Sequence, residues 1–312
     1  MNAMNLQPNV VPGSGAPGVT SAAMSPTHLF YWSVRRELWE NRSLYIAPLA
    51  VAAVYLFGFL IGTIRLPQKM RALSTMDQAH QRSAVGLPYD FAAGLLMATT
   101  LIVAVFYCLD ALYGERRDRS ILFWKSLPVS DLITVLSKAF IPIVLLQLVA
   151  FVVTVALQLI MLLFSSVVLL GNGSSIAMLW TQLSLFQRSV MLFFHLVALH
   201  GLWYAPIYCW LLLVSGWARR AAFLWAVLPV IAIGVVEKVA FNTTHFGSFL
   251  GYRLIGGTDA DAMPALSGLP LDPMTRMVVG RYLTSPGLWI GLLFAAVFLA
   301  AAVRLRRYRE PI

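Results

Sequence analysis

The segment Tyr113–Lys138, YGERRDRSILFWKSLPVSDLITVLSK, holds the densest mixture of opposite charges in the chain and lies between two strongly apolar runs. A loop that only joined two membrane helices would need neither these charges nor the hydrophobic patch that follows them. Pro128 stops a helix and favours an extended Leu127, and Ser130 is a typical cap for the next helix. We therefore expect a short helix over 120–126, held across the ends of two spans, on which a soluble partner could push.

The composition around this segment is that of a membrane protein. Hydrophobic residues make up 59% of the chain and charged residues 12%, and the mean hydropathy is +0.77. Soluble domains have about 25% charged residues. A helix of about 20 apolar residues crosses the hydrocarbon core and satisfies its own backbone polar groups there. The sequence therefore predicts an all-α integral membrane protein. Its six predicted spans are about 44–64, 91–112, 139–164, 190–215, 221–240 and 287–303.

Basic residues predict the orientation, because Lys and Arg concentrate in cytoplasmic segments. The turn Trp217–Arg220 is half arginine, whereas the predicted outer loop Gly171–Ser189 contains only Arg188. We therefore expect both termini and the loop 113–138 in the cytoplasm. The net charge of +10 fits this topology and attraction to anionic lipid. No nucleic-acid partner is expected, because the basic residues do not form one stripe.

The N-terminal region divides into two parts. Residues 1–24 have no positive charge and no apolar core, so they are not a signal peptide, and their Pro, Gly and Ser content predicts a disordered tail. Ser25 caps a predicted amphipathic helix over 25–42. We expect this helix to lie in the membrane interface, as an anchor, as a docking element beside the loop 113–138, or as both. Its polar face carries Ser33, Arg36, Glu37 and Glu40, and its apolar face carries Phe30, Tyr31, Val34 and Leu38.

The sequence also predicts a helix-packing site in the first span and two outer segments. Gly58 and Gly62 are four residues apart in the first span, a spacing that lets two helices approach closely. They predict either a dimer seam or close packing within the chain. The first outer segment, Arg65–Asp90, is polar. The last, 241–286, is rich in Gly and Pro, and its mildly apolar parts 246–254 and 274–283 could dip into the outer interface.

The chain shows no catalytic motif. A phosphate-binding GxxxxGK[ST] loop, GxSxG, HExxH and CxxC are all missing from the sequence. An intramembrane enzyme is therefore disfavoured. His195 and His200 are five residues apart, so we expect them on different sides of one helix without a shared metal. Asp110 is expected in water near Arg116.

Two uncharged polar stripes within the spans are expected to face the bundle interior. They favour either interhelical hydrogen bonds or a substrate path. Their lack of charge is atypical of a carrier driven by protons or sodium ions. The stripes consist of Gln147, Thr154 and Gln158 in the third span and His200, Tyr204 and Tyr208 in the fourth.

From about Pro26 to its C-terminus the chain resembles the membrane subunits, or permeases, of ABC-2 type transporters. It shares their order of an amphipathic entry (elbow) helix, six spans and a long last outer loop. It also shares a Glu- and Arg-rich start after the second span and a Pro-Val-Ser element before the third. The matching residues are Glu115, Arg116, Ser120, Leu127, Pro128, Val129 and Ser130. One departure is Arg119-Ser120, where many members have Glu-Xaa-Gly-Thr.

The resemblance implies a bacterial inner-membrane permease that pairs with a second, identical or different copy above two ATP-binding subunits. Those subunits would hold ATP and Mg²⁺, and this chain would bind no cofactor and have no enzymatic activity of its own. An uncharged, aromatic path favours an amphipathic substrate, and export is the expected direction. The alternative is a non-transporting scaffold or sensor that recruits a cytoplasmic partner through the loop 113–138. The predicted ATPase-coupling residues are Arg35, Arg36, Glu37, Glu40, Glu115, Arg116, Arg117, Ser120, Leu122, Trp124, Lys125 and Pro128.

Overall fold

The computed structural model describes residues 25–120, 123, 129–255 and 284–308. Every regular element in these ranges is helical. Six helical stretches are long and apolar enough to cross a membrane, which confirms the prediction of an all-α membrane protein with six candidate spans. The stretches are Ser43–Leu73, His80–Arg117, Asp131–Gly171, Ala177–Trp203, Ala222–Phe241 and Pro286–Tyr308. The predicted tail 1–24 and the apolar part 274–283 lie outside the described residues.

The α-helices are numbered in chain order, and short non-α segments connect some of them. The first group is α1 (Pro26–Glu40), α2 (Ser43–Gly62), α3 (Leu66–Leu73), α4 (Gln78–Asp110) and α5 (Tyr113–Arg117). The second group is α6 (Asp131–Phe140), α7 (Leu146–Gly171), α8 (Ala177–Leu183) and α9 (Leu185–His195). The third group is α10 (Ala205–Trp217), α11 (Ala222–Phe241), α12 (His245–Ile255) and α13 (Pro286–Tyr308). A 3₁₀ turn (Thr63–Arg65) joins α2 to α3, and two π-helices lie at Ile141–Leu145 and Leu196–Trp203.

Both predicted helix caps are confirmed. The Ser25 hydroxyl oxygen accepts the backbone N–H of His28, and Pro26 occupies the first turn of α1. The Ser130 hydroxyl oxygen accepts the N–H of Ile133 at the start of α6. The capping role of these two serines could thus be predicted from the local sequence.

The helices extend beyond the predicted spans. α4 begins at Gln78, within the predicted outer segment 65–90, and α8 lies in the predicted outer loop 171–189. Polar turns of a helix outside the hydrocarbon core give no apolar signal, so the sequence did not reveal them. The predicted fourth span 190–215 is also not continuous, because a new helix, α10, starts after Tyr204. Proline in the first turn of α10 suits a helix start there.

The bundle has two ends with different contents. α10 packs along α13, and α2 packs against α4 and α7. One end, which we call the α1 end, holds α1, α5, the start of α6 and the C-terminal turns of α13. The opposite end, called the far end, holds α3, α8 and α12. Large apolar side chains of α2, α11 and α13 face outward, as expected of helices in contact with lipid.

The closest backbone approach involves the two π-helices. A Cβ on Gly201 would lie 2.8 Å from the carbonyl oxygen of Ile143, so only glycine fits at this crossing. By contrast, a Cβ on Gly58 or Gly62 would meet no described atom within 4 Å. Close packing within the described chain therefore does not explain that glycine pair, and the dimer seam stays a prediction.

α12 is fixed at the far end by two charged residues. The Glu237 carboxylate accepts the backbone N–H groups of His245, at 2.6 Å, and of Phe246, at 2.8 Å, which satisfies the first turn. Near the other end of α12, the buried Arg253 guanidinium lies 4.3 Å from the Trp203 ring centre and donates to the Gly287 carbonyl. The segment 246–254, which the sequence suggested might dip into the interface, is thus a helix packed on protein.

Candidate functional site

A buried carboxylate lies at the centre of the α1 end. Glu37 is 0% exposed although it belongs to a short helix near the surface. Its Oε1 accepts from Lys138 Nζ at 2.7 Å and from an Arg36 NH2 group at 2.8 Å. Its Oε2 accepts from the Tyr107 hydroxyl at 3.0 Å. Glu37 therefore points from the polar face of α1 into the bundle and joins α1 to α4 and α6.

Glu115 extends this cluster to the C-terminal helix. Lys138 Nζ lies 3.1 Å from Glu115 Oε1, and Arg306 of α13 bonds the other carboxylate oxygen. Arg306 Nε also lies 3.0 Å from Asp131 Oδ1. Three bases and three acids thus balance one another between α1, α5, α6 and α13. We call this set the charge network; it consists of Arg36, Glu37, Glu115, Asp131, Lys138 and Arg306.

The electrostatics of α1 follow from these contacts. Burial by itself would raise the pKa of the Glu37 carboxyl, but the Lys138 ammonium and the Arg36 guanidinium outweigh it and hold the pKa below its ordinary value of 4.5. The pKa of Glu40 is raised, chiefly by partial burial and further by the negative charges of Glu37 and Glu115, which together outweigh the opposing Arg36 and Lys138. Glu37 therefore stays ionised at neutral pH, and its ion pairs persist.

A second anchor fixes the start of the charged segment. Arg116 is 4% exposed and donates to the carbonyl oxygens of Gly216, at 2.8 Å, and Ala218, at 3.1 Å. These carbonyl groups lie at the C-terminal end of α10, where they would otherwise lack partners within the helix. The Asp110 carboxylate is exposed, and its Oδ1 lies 3.9 Å from a guanidinium nitrogen of the exposed Arg117. The expected approach of Asp110 to Arg116 stays a prediction.

The predicted coupling residues thus divide into two groups. Glu37 and Arg116 are turned toward the chain itself, so they can position a docking surface but cannot form it. Arg35, Glu40 and Arg117 are exposed, and the Arg35 guanidinium lies 4.9 Å from the centre of the Trp32 ring. The remaining half-buried residues are Arg36, Glu115 and Ser120, of which Ser120 donates to the Glu115 carbonyl. Leu122, Trp124, Lys125 and Pro128 lie outside the described residues, as does most of the predicted helix 120–126.

Sequence reasoning missed half of the charge network. No contact was predicted for Lys138, Arg306 or Asp131. The one available signal was a lysine directly adjoining an apolar run, where an ionised group needs a partner. That partner, Glu37, is 101 residues away in the chain, so spacing could not identify it.

The polar stripe of the third span is buried, as predicted. The Thr154 hydroxyl donates to Ala150 and the Gln147 amide donates to Pro142, both in the same helical stretch. Gln158 bonds a different helix, donating to the Tyr89 carbonyl of α4 at 3.1 Å. These contacts fit the hydrogen-bonding interpretation of the stripe, and the substrate path stays a prediction.

The structure corrects one prediction for the fourth span, the relative position of its two histidines. The ring centres of His195 and His200 are 5.6 Å apart, so the expectation that they project from different sides is wrong. The cause is the π-helix that begins at Leu196, because its i to i+5 pattern brings residues five apart to one side. His200 also lies 5.5 Å from the ring of Tyr204. Tyr208 is fully buried, and its hydroxyl lies beside Gln147 without forming a hydrogen bond of good geometry.

Comparison of the chain with protein-family models, with curated proteins and with solved structures gave no match. The resemblance to ABC-2 type permeases therefore stays a prediction that depends on the residues of the loop 113–138 and on the order of the spans.

Proposed function

We propose that this chain is the permease subunit of an ABC-2 type transporter, which exports an amphipathic substrate across a bacterial inner membrane. A separate ATP-binding subunit hydrolyses ATP in the cytoplasm, where both termini lie. The permease works as a homodimer or heterodimer. Alternating access of the spans moves the substrate.

The charge network is the observation that carries this proposal. It joins α1 and α5 to the ends of α6 and α13 through buried ion pairs of 2.7 to 3.1 Å between Lys138 and its two glutamates. Arg116 connects α5 to the end of α10 by donating to the Gly216 carbonyl. A force on the loop that follows α5 would therefore reach several spans at once. A loop that only connected two helices would need no such attachment.

The exposed residues of the same end are suited to docking. Trp39 is 70% exposed, with its ring centre 5.4 Å from the Arg35 guanidinium, and Phe123 is 61% exposed. Aromatic and arginine side chains supply most of the binding energy at protein interfaces. In this proposal Arg35, Glu40 and Arg117 contact the ATPase, and the charge network holds their helices in place.

A scaffold or sensor is the second candidate. It is favoured by the third-span stripe, whose amide and hydroxyl groups bond to the chain's own carbonyls instead of facing a described channel. Reconstitution with the ATPase subunit separates the two functions. A transporter stimulates ATP hydrolysis and moves substrate across the vesicle membrane, whereas a scaffold leaves both unchanged.

The coupling step is tested by replacing Trp124 with Asp. We expect normal membrane insertion and ATP hydrolysis that no longer drives transport, because a carboxylate cannot occupy an apolar docking pocket without a large desolvation cost. The control is Met76→Asp, which changes an exposed residue of the far end in the same way. Wild-type transport by the Trp124 variant would contradict the proposed coupling.

A further inference from the structure

His195 and His200 form a close pair where α9 continues into the π-helix Leu196–Trp203. Their ring centres are 5.6 Å apart. In an α-helix, residues five apart are separated by about 140° around the axis, so it is the wider π-helical turn that brings the two imidazoles together. A shared metal ion was not expected from the sequence because of that separation, which the structure does not have.

The spacing of the two rings suits one metal ion between them. Metal–nitrogen bonds are about 2.0 Å long, so the centre of an imidazole ring lies about 3.2 Å from an ion that the ring binds. The centres of two rings that share an ion are therefore at most about 6.4 Å apart. The observed 5.6 Å meets this limit and corresponds to an angle of roughly 120° at the ion.

His200 has a nitrogen available for such a bond. The residue is 7% exposed, and its Nδ1 forms no hydrogen bond within the described part of the chain. Tyr204 holds the ring edge-to-face at 5.5 Å, while the Tyr204 hydroxyl is engaged elsewhere because it donates to the Leu254 carbonyl. A water molecule needs about 2.9 Å from a nitrogen, whereas an ion binds at about 2.0 Å and fits a gap that excludes water. The half-buried His195 provides the side from which the ion enters.

The available ligand types favour a soft monovalent ion. The described residues contain no group of three His, Cys, Asp or Glu side chains that could hold a metal, whereas zinc sites have at least three such ligands. Met191 precedes His195 by one turn on the same side of α9, and a thioether is a ligand that selects Cu(I). Two neutral imidazoles and a thioether supply no negative charge, so one positive charge costs less to bury here than two.

We propose that His195 and His200, together with Met191, bind one Cu(I) ion within the fourth candidate span. The two imidazole nitrogens are the main ligands, and the π-helix fixes their spacing. The thioether of Met191 completes a three-coordinate site. The ion keeps its oxidation state on binding. Binding needs no ATPase, so this proposal and the proposed transport function can fail separately.

Titration of the full chain in nanodiscs with Cu(I) tests this site, with ascorbate to keep the ion reduced and bathocuproine disulfonate as the competing chelator. We expect one Cu(I) ion per chain. His195→Leu should weaken binding at least tenfold, because losing even the hydrogen-bond partner of a metal ligand costs about 10- to 100-fold in affinity. The matched control is His245→Leu, which changes an exposed histidine of α12 and should leave the affinity unchanged. Zn(II) should bind more weakly than Cu(I).

X-ray absorption of the Cu(I)-loaded wild type adds a measurement that does not depend on the folding of a variant. We expect two imidazole nitrogens at about 2.0 Å from the ion. A spectrum with sulfur ligands alone would overturn the proposal, because it would place the ion on methionines or cysteines elsewhere. So would a wild type without stoichiometric binding, equal Cu(I) affinity of His195→Leu and His245→Leu, or Zn(II) bound as tightly as Cu(I).

Discussion

Replacing Lys138 with Met should strongly destabilise the protein. Lys138 Nζ lies 2.7 Å from Glu37 and 3.1 Å from Glu115, and its side chain is 3% exposed. Methionine has a similar shape but leaves both carboxylates without their shared cation. Removing one partner of a buried ion pair typically costs about 3–5 kcal/mol. Because Arg36 and Arg306 remain beside the two acids, we expect a loss near the lower limit, about 3 kcal/mol.

A double-mutant cycle with Glu37→Gln separates the ion pair from other effects. Glutamine keeps an acceptor for Tyr107 but removes the charge that Lys138 balances. The double variant should therefore be more stable than the sum of the two single losses predicts, by about 2 kcal/mol. The free energy of unfolding is measured by denaturant titration in detergent micelles. The control is Lys238→Met, an exposed lysine whose change should stay within about 0.5 kcal/mol.

Two outcomes would refute this reasoning. One is a decrease of less than 1 kcal/mol in the free energy of unfolding for Lys138→Met, since removing a buried ammonium leaves two buried carboxylates without their shared cation. The other is strict additivity in the cycle, which would mean that Glu37 and Lys138 do not interact in solution.

Three further changes test other contacts. Gly201→Ala should cost about 1–3 kcal/mol in unfolding free energy, because its Cβ would lie 2.8 Å from a carbonyl oxygen of the facing π-helix. Gly234→Ala, where a Cβ meets nothing within 4 Å, should instead raise the free energy of unfolding by up to about 1 kcal/mol. A decrease at Gly234 as large as that at Gly201 would contradict this. Arg116→Leu should cost about 2 kcal/mol by removing the partners of two carbonyls, while Arg117→Leu, at an exposed neighbour, should change the same unfolding titration little. Finally, a carboxyl whose folded pKa is lowered gives stability that is present above its ordinary pKa and lost on acidification, so the Glu37 contribution should disappear only below about pH 4.5. Thermal melts of the wild type and of Glu37→Gln should therefore converge below that pH, and parallel curves would show that Glu37 is not responsible.

Local signals predicted much of the fold. The six spans could be predicted because a helix must have about 20 apolar residues to cross a bilayer, and the sequence shows the length and apolarity of each stretch directly. Ser25 and Ser130 act as caps because a short hydroxyl side chain satisfies the exposed N–H groups of a helix start. These features depend on residues a few positions apart, which a sequence displays directly.

The features that the sequence did not reveal depend on contacts between distant residues or on unusual helix geometry. The charge network pairs Glu37 with Lys138, which lies 101 positions later. The two histidines fell on one side because a π-helix replaces the expected α-helix, and no local residue pattern marked that change. Gly201 is required by the backbone carbonyl of Ile143 that it faces, and no glycine at a regular spacing indicated this from the sequence.

The most direct test of the proposed function is affinity purification of the tagged protein in mild detergent, with quantification of every protein that co-purifies. The account predicts an ATP-binding subunit in nearly equal amount to this chain. A chain that purifies without any ATPase, under conditions that preserve a known transporter complex run in parallel, would contradict the central claim.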